Sequence, residues 1–296
     1  MTRHIKTDLD VLGNETRAAA SEPAAFPFGA NWRRFLESFD EERLSRAKDS
    51  LTEFLRVDDL EGKSFVDIGC GSGLFSYAAH ELGAAQVLSF DVDRACVECC
   101  TRLRARAGNP DTWEIREGSI LDEAFVFGLG RFDLVYSWGV LHHTGRMWDA
   151  IEKAATLVKP QGLFYIALYN RLLDRQGDTS LIHGFWTSVK RIYNAHPWFG
   201  RLGMEPLAMA AYLFLTAARG QNPIRHVRSY KSDRGMDWHT DARDWLGGYP
   251  YEFATRDEVV SFVTSRFPDM VLVNLKPTTG RGLNWFLLRN GEPAEM

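Results

Sequence analysis

The chain has 296 residues, of which 45% are apolar and 25% charged, a composition that is ordinary for a globular protein. A formal net charge of −4 and a pI near 6.1 argue against general nucleic-acid binding. No stretch reaches the roughly 18 apolar residues of a membrane span, and the first residues have no apolar signal core. Of the four cysteines, Cys96, Cys99 and Cys100 share one helical stretch, which predicts buried, reduced thiols of a cytoplasmic protein rather than a zinc site.

The N-terminal part of the chain falls into two stretches. Residues 1–30 are rich in alanine and proline and show no clear period. Residues 31–56 carry apolar side chains at steps of three and four, which predicts one or two helices. We assign 1–56 as an N-terminal extension with a helical lid over the cofactor, and an additional helix packed on the sheet is the alternative.

A glycine-rich turn follows the first predicted strand, 64–68. Glycines stand at positions 69, 71 and 73, and Asp67 precedes the first of them by two residues. Such a turn at the carboxyl end of a strand is where open α/β sheets bind nucleotides, and glycine brings bare amides close to a ligand. The spacing differs from the G-x-G-x-x-G of dinucleotide sites. An acid at the strand tip suits a ligand that bears a cation, not a pyrophosphate.

A second acid, Asp91, ends the next apolar strand, 24 residues after Asp67. An acid about 20 residues beyond the first strand is where a ribose diol is held. A cation near the glycine turn and a ribose at the second strand together describe S-adenosylmethionine (SAM).

From residue 63 to 170 predicted strands alternate with predicted helices. This alternation is typical of a parallel sheet with helices on both faces, and we assign 57–170 as the cofactor-binding core. The strands are predicted at 64–68, 86–91, 112–116, 132–137 and 162–169, and the helices at 73–82, 94–107 and 147–158.

Five segments lie in the order of a known family. They are Val66–Gly73, Phe90–Asp93, Glu117–Asp122, Phe132–His143 and Leu157–Phe164. In this order they resemble the class I SAM-dependent methyltransferases, most closely the ubiquinone-biosynthesis O-methyltransferase type. The third segment departs from the family, because Ser119 stands where an acid is often found.

The resemblance implies a fold, a cofactor and a set of contacts. The fold is a Rossmann-like, doubly wound α/β sheet of seven strands, mainly parallel with the last strand antiparallel, plus a helical insert after strand five. The cofactor is SAM and the product S-adenosylhomocysteine (SAH). The implied cofactor contacts are Asp67, Gly69, Cys70, Gly71, Ser72, Gly73, Leu74, Phe75, Asp91, Val92, Ser119, Ile120 and Trp138.

Residues 171–248 interrupt the alternation and are assigned as a helical substrate-binding insert. Helices are predicted near 180–194 and 204–219. The second is apolar almost all round, which predicts a buried helix, with membrane contact as the alternative. A basic stripe follows, and it forms either a solvated face or a surface for an anionic substrate or membrane: Arg225, Arg228, Lys231 and Arg234.

Residues 249–296 are predicted to complete the core sheet. Thr255 is a suitable N-cap for a helix that begins at Arg256. Two apolar runs, 270–275 and 284–288, read as strands six and seven.

Histidines are the candidate bases for an acceptor hydroxyl. His142 and His143 follow the fourth predicted strand, at the edge of the sheet where ligands bind. His143 is preferred, with His142 and His239 as its rivals. Adjacent histidines rarely point the same way and no acid lies close to them in the sequence, so we predict no metal site.

Two clusters are candidates for binding the acceptor. The end of strand five carries Tyr169, Asn170 and Arg171, with simple strand capping as the alternative. Residues 235–251 combine aromatic and polar side chains, which is typical of a small-molecule pocket, although a loop with buried aromatics would look the same. The candidates there are Asp237, Trp238, Asp241, Trp245 and Tyr249.

We predict transfer of a methyl group from SAM to a small-molecule acceptor, at a hydroxyl oxygen. The alternatives are RNA or protein methylation, and use of SAM for a non-methyl transfer or a cyclisation. The acidic chain predicts no nucleic-acid partner. Peripheral membrane contact and oligomeric state stay open.

Overall fold

A seven-stranded sheet with the order β3-β2-β1-β4-β5-β7-β6 forms the centre of the protein. The computed structural model describes residues 32, 36, 39–171, 180–220, 222–225, 227, 243, 245–278 and 282–291, with the side chains of 180–183 excepted. The strands are β1 (Ser64–Ile68), β2 (Gln86–Asp91), β3 (Trp113–Glu117), β4 (Phe132–Trp138), β5 (Val158–Tyr169), β6 (Met270–Lys276) and β7 (Leu283–Asn290).

The strand pairing confirms the predicted fold class. β1 pairs in parallel with β2 and with β4, and β2 and β4 pair in parallel with β3 and β5. β7 alone runs antiparallel, inserted between β5 and β6. The carboxyl ends of β1, β2, β4 and β5 therefore meet at one edge of the sheet.

Helices lie on both faces of this sheet and in the insert that follows β5. They are α1 (Glu41–Leu55), α2 (Leu74–Glu81), α3 (Arg94–Arg106), α4 (Glu123–Phe127), α5 (Met147–Thr156), α6 (Ser180–Ala195), α7 (Glu205–Ala218) and α8 (Arg256–Arg266). Thr255 caps α8 as predicted: its side chain accepts from the Glu258 amide while the Glu258 carboxylate accepts from the Thr255 amide.

The core consists of two apolar layers, one on each face of the sheet. Successive side chains of a strand point to opposite faces. Val66 of β1 accordingly lies in the layer under α5 and α8, whereas the preceding Phe65 lies in the layer under α1, α2 and α3. All four cysteines are buried free thiols, which confirms the prediction made for Cys96, Cys99 and Cys100.

One boundary differs from the sequence prediction by more than two residues, and one helix was not predicted. β5 begins at Val158 rather than at 162, because Val158 pairs with Phe132 of β4. Helix α4 was not predicted, since five residues are too few to show a helical period.

The prediction that the second insert helix is buried is wrong. Leu207 and Phe214 of α7 are each 72% exposed. The buried residues of this helix are Glu205 and Thr216, on its opposite side. An apolar sequence on all sides of a helix does not show how many of those sides have neighbours. α7 packs against the rest of the protein through one narrow side. Within the described residues, no helix combines the length and apolarity that a bilayer crossing requires.

Candidate active site

The glycine turn is held against the end of β2. The amides of Gly69 and Cys70 both donate to the Phe90 carbonyl, at 2.8 and 3.0 Å. Gly69, Gly71 and Gly73 have φ values of 71°, 54° and 83°, in the left-handed region that favours glycine. A Cβ atom on Gly73 would stand 2.6 Å from the Cys100 sulfur. The chain therefore needs glycine at this turn for both conformation and space.

Asp91 fixes the same turn from the tip of β2. One of its carboxylate oxygens accepts from the Gly71 amide at 3.1 Å, and the other accepts from the Asp93 amide at 2.9 Å. Burial raises the pKa of this carboxyl. The Cys96 thiol also hydrogen-bonds to this carboxylate, so of its about four acceptor sites one remains for a ligand hydroxyl.

Asp67 lies beneath the turn and is 2% exposed. Its carboxylate accepts from the Ser76 hydroxyl at 2.6 Å, in a chain that continues through Ser89 to the Trp113 indole N–H. Burial raises the pKa of Asp67 to about 7, and the nearby Asp91 carboxylate adds to the shift. A cation beside this carboxyl would reverse the shift.

Trp32 from the N-terminal segment lies over the glycine turn. A Cβ atom on Gly71 would stand 2.9 Å from Cε2 of its ring. This contact brings a residue of the predicted lid to the turn, and the lid itself stays a prediction.

The other predicted cofactor contacts surround the turn at different depths. Trp138, at the end of β4, is 39% exposed and packs edge-on against Trp285 with ring centroids 6.1 Å apart. Ile120 is buried in the core, whereas Ser119 is half-buried and accepts from the Leu121 amide. Cys70 and Ser72 are buried, Leu74 and Phe75 are half-buried, and Val92 is exposed.

His142 and His143 form a short 3₁₀ turn with Leu141 after β4. The ring of His142 is fully buried, and neither of its nitrogens has a hydrogen-bond partner in the described part of the chain. Burial lowers its pKa well below the ordinary value. The ring lies 4.2 Å from that of Tyr169, between centroids, so it serves as one wall of an aromatic cluster.

His143 has a defined tautomer. Its Nδ1 lies 2.7 Å from the Pro250 carbonyl oxygen, which can only accept, so Nδ1 carries the proton. The lone pair of the neutral ring is therefore on Nε2. Burial lowers the pKa of His143 to about 4, and the Lys190 charge also lowers it.

Lys190 of α6 is a buried cation beside these histidines. It is 1% exposed, its ammonium donates to the Trp245 carbonyl, and it lies 4.7 Å from the Tyr251 ring centroid. Burial lowers its pKa to about 7. Lys190, Tyr251 and the Pro250 carbonyl were missed in the sequence, because nothing in an amphipathic helix marks which lysine faces a pocket.

The segment 249–254 closes one side of this cluster. The Glu252 amide donates to the His142 carbonyl at 2.9 Å, and the Glu252 carboxylate accepts from the Met147 amide. The Ala254 amide donates to the Tyr169 carbonyl. These bonds hold Tyr251 against Tyr169, at 5.3 Å between centroids.

The predicted acceptor residues separate in the structure. Tyr169 joins the histidine cluster, while Asn170 accepts from Asn284 of β7 and Arg171 pairs with Glu258 at 2.9 Å. The Trp245 ring lies beside the Lys190 ammonium, and Tyr249 is buried. The remaining candidates, Asp237, Trp238, His239 and Asp241, lie outside the described residues. All of these roles stay predictions.

The sheet topology and the glycine turn at the tip of β1 define the class: an α/β enzyme fold of the methyltransferase type. The chain belongs to the methyltransferase domain family, whose model matches residues 39–211, more than half of its length.

Curated relatives match part of the chain. The ubiquinone biosynthesis O-methyltransferase of Methylobacterium nodulans is 32% identical over 145 residues, which are 47% of this chain and 56% of that protein. Its counterpart in Brucella melitensis is 30% identical over 149 residues, 49% of this chain and 58% of that protein. The chain thus spans somewhat over half the length of these relatives.

Solved structures share the fold over most of the chain. An O-methyltransferase family protein from Burkholderia thailandensis has a TM-score of 0.54 at 13% identity, covering 94% of this chain and 66% of that one. The magnesium protoporphyrin IX methyltransferase of Synechocystis, solved with SAH, has a TM-score of 0.51 at 14% identity, covering 88% and 94%. At these identities the likeness shows the fold.

Proposed function

We propose that this methyltransferase methylates a hydroxyl oxygen of a small molecule, with His143 as the base. The observation that carries the proposal is the closeness of two sites at one sheet edge. Val140 packs against Gly69, so closely that a Cβ atom on that glycine would collide with its methyl groups. His143 follows Val140 by three residues and donates to Pro250 in the aromatic cluster. The cofactor turn and the cluster are therefore neighbours.

The residues at the tips of β1 and β2 fit SAM. The glycines at 69 and 71 add no side chain of their own to the turn, and Asp91 offers acceptor capacity to a ribose hydroxyl. The buried Asp67 carboxyl, with its raised pKa, lies where a ligand cation would be stabilised. Together these features match a cationic nucleoside.

The aromatic cluster around His143 positions the methyl acceptor, supplies a positive charge and takes up the proton. Bound SAM supplies a methyl group whose bond to sulfur breaks as the bond to the acceptor oxygen forms. The rings of Tyr169 and Tyr251 contact each other, with centroids 5.3 Å apart, and together form one wall against which a flat acceptor would lie, which is the positioning that a displacement requires. The ammonium of Lys190 favours an ionised acceptor oxygen, and Nε2 of His143 takes the proton.

The low pKa of His143 restricts the acceptor. A ring with a pKa of about 4 is neutral at pH 7 but is a weak base. Acceptors with an acidic hydroxyl, such as phenols, suit it better than aliphatic alcohols, because less driving force is needed to move their proton. The names of the curated relatives, which are O-methyltransferases, support oxygen as the acceptor atom.

Calorimetric titration with SAH, followed by methyl transfer from labelled SAM to phenols and to aliphatic alcohols, tests the proposal. Micromolar SAH binding at one site per chain with methylation of phenols would support it. No SAH binding would contradict the cofactor site. SAH binding with methylation of RNA, protein or amines instead would contradict the acceptor.

Replacing His143 by alanine is expected to lower kcat at least about tenfold and leave SAH affinity unchanged, because general-base catalysis contributes ~100-fold or more. His196→Ala is the matched control, since that histidine is exposed in the insert, away from the cluster. Steady-state kinetics and calorimetry check both. Unchanged kcat in His143→Ala would move the base to His142 or His239.

SAH affinity is expected to fall as the pH is lowered through about 7. Asp67 is protonated below its pKa of about 7, and the ligand ammonium needs the ionised carboxylate. Affinity should therefore drop up to about tenfold per pH unit below that value. Calorimetry from about pH 6 to about pH 8 measures it. Asp91 also has a raised pKa, so Asp67→Asn is the discriminating variant: it should flatten the profile, and an unchanged profile would contradict the assignment to Asp67.

A further inference from the structure

Large apolar side chains are exposed along the helical insert that follows β5. We call residues 180–218 the insert hairpin: α6, a short helical connection over 197–204, and α7. Among the described side chains of α6, the large exposed apolar ones are Phe185 and Ile192, which share a face because they are seven residues apart. The connection and α7 add Trp198, Phe199, Leu202, Leu207, Phe214 and Leu215, with Trp198 75% exposed.

The exposed side of α7 is continuous. Leu207, Ala211, Phe214 and Ala218 follow one another at steps of four, three and four residues and are all exposed. Glu205 and Thr216 lie on the opposite side and are buried. An unbroken apolar stripe on a surface helix marks an interaction surface rather than scattered exposure.

The inner side of the hairpin is fixed, so the stripe cannot simply turn inward. The Tyr193 hydroxyl of α6 donates to the Glu205 carboxylate of α7 at 2.6 Å. Arg243 donates to the same carboxylate through two nitrogens, at 3.1 and 2.8 Å. A buried ion pair of this kind is costly to break, and rotating α7 would break it.

Charge identifies the occupant of this surface. Glu205 is the one acidic residue in the sequence from 180 to 227, and Tyr193 and Arg243 hold it in the interior. Four arginines of the same stretch are exposed: Arg191, Arg201, Arg219 and Arg225. A second copy of this face would bring arginine against arginine. An anionic lipid surface instead complements both the arginines and the apolar stripe.

We propose that the insert hairpin docks on the surface of an anionic lipid bilayer, with α7 lying in the interfacial plane. Leu207 and Phe214 enter the boundary of the acyl chains, and the arginines contact lipid phosphates. α7 has 14 residues, about 21 Å at 1.5 Å per residue, which suits a helix lying on a bilayer rather than crossing it. The proposal does not depend on the acceptor or on the base.

Co-sedimentation of the full chain with lipid vesicles tests the docking. Vesicles of phosphatidylcholine mixed with phosphatidylglycerol are expected to bind the protein, and vesicles of phosphatidylcholine alone to bind it at least about tenfold more weakly, since each basic residue near an anionic surface contributes. Added salt should weaken the binding because it screens the arginines.

Matched variants isolate the apolar stripe. Leu207→Ser with Phe214→Ser should weaken binding to anionic vesicles at least about tenfold, because two large apolar groups no longer enter the bilayer. Phe127→Ser is the control: Phe127 is 91% exposed but lies on α4, on the core sheet. Circular dichroism during heating verifies that the variants fold, which is expected since both sites are exposed.

Two results would overturn the proposal. The first is a wild-type protein that stays in the supernatant with anionic vesicles at low salt, or a serine variant that binds them as well as the wild type. The second is a dimer in analytical ultracentrifugation that the same serine substitutions dissociate, without vesicle binding, which would assign the stripe to a second copy of the chain.

Discussion

Gly71→Val is expected to abolish SAH binding. Gly71 has a φ of 54°, and its amide donates to Asp91. A branched side chain at this φ is strained, and its Cβ would stand 2.9 Å from the Trp32 ring. The larger side chain would also displace the Trp32 ring or the turn itself, and the proposed nucleoside binds at this turn. Calorimetric titration with SAH measures the loss.

A matched glycine separates backbone strain from crowding. Gly108, after α3, has a φ of 85°, and a Cβ there would meet nothing within 4 Å. Gly108→Val therefore carries the strain without the collision, and it should bind SAH as the wild type does. Retained SAH binding in a folded Gly71→Val variant would show that the cofactor does not lie on this turn.

Asp91→Ala should reduce SAH affinity at least about tenfold. A hydrogen bond from a ribose hydroxyl to a charged acceptor contributes ~1.5–3 kcal/mol, and ~1.4 kcal/mol is a factor of ten in affinity. The substitution also removes the carboxylate that accepts a hydrogen bond from the Gly71 amide at 3.1 Å, so the turn loses a stabilising contact. Both effects act in the same direction, and calorimetry measures their sum.

Asp93→Ala is the control for Asp91. Asp93 is two residues away and also accepts a backbone hydrogen bond, from the Ala95 amide at 2.8 Å, where it caps α3. Its loss should lower the stability of the fold by ~1 kcal/mol without a comparable loss of SAH affinity. Equal losses of SAH affinity in the two variants would mean that substitutions at the tip of β2 weaken binding by destabilising the fold, and that Asp91 does not hold the ribose.

Patterns that are local in the sequence were sufficient to place the strands, whereas the antiparallel direction of the last strand was predicted from the family resemblance. Each buried strand is a short apolar run bounded by a turn signal, so β1 and β2 were predicted with the bounds that the structure has. The glycines at 69, 71 and 73 and the acid at 91 were also readable, because backbone conformation and strand-tip position follow from residue type and spacing. A parallel sheet then brings these tips to one edge.

Residues that meet through tertiary packing were not readable. Lys190 lies in an amphipathic helix like any other lysine, and only the packing of α6 against Trp245 and Tyr251 makes it a buried cation with a lowered pKa. His143 was identified by position, but its tautomer depends on a carbonyl 107 residues away. The sequence of α7 determined that the helix is apolar. Whether that apolar surface is buried depends on its neighbours, and the buried contacts of Glu205 with Tyr193 and Arg243 leave Leu207 and Phe214 facing outward.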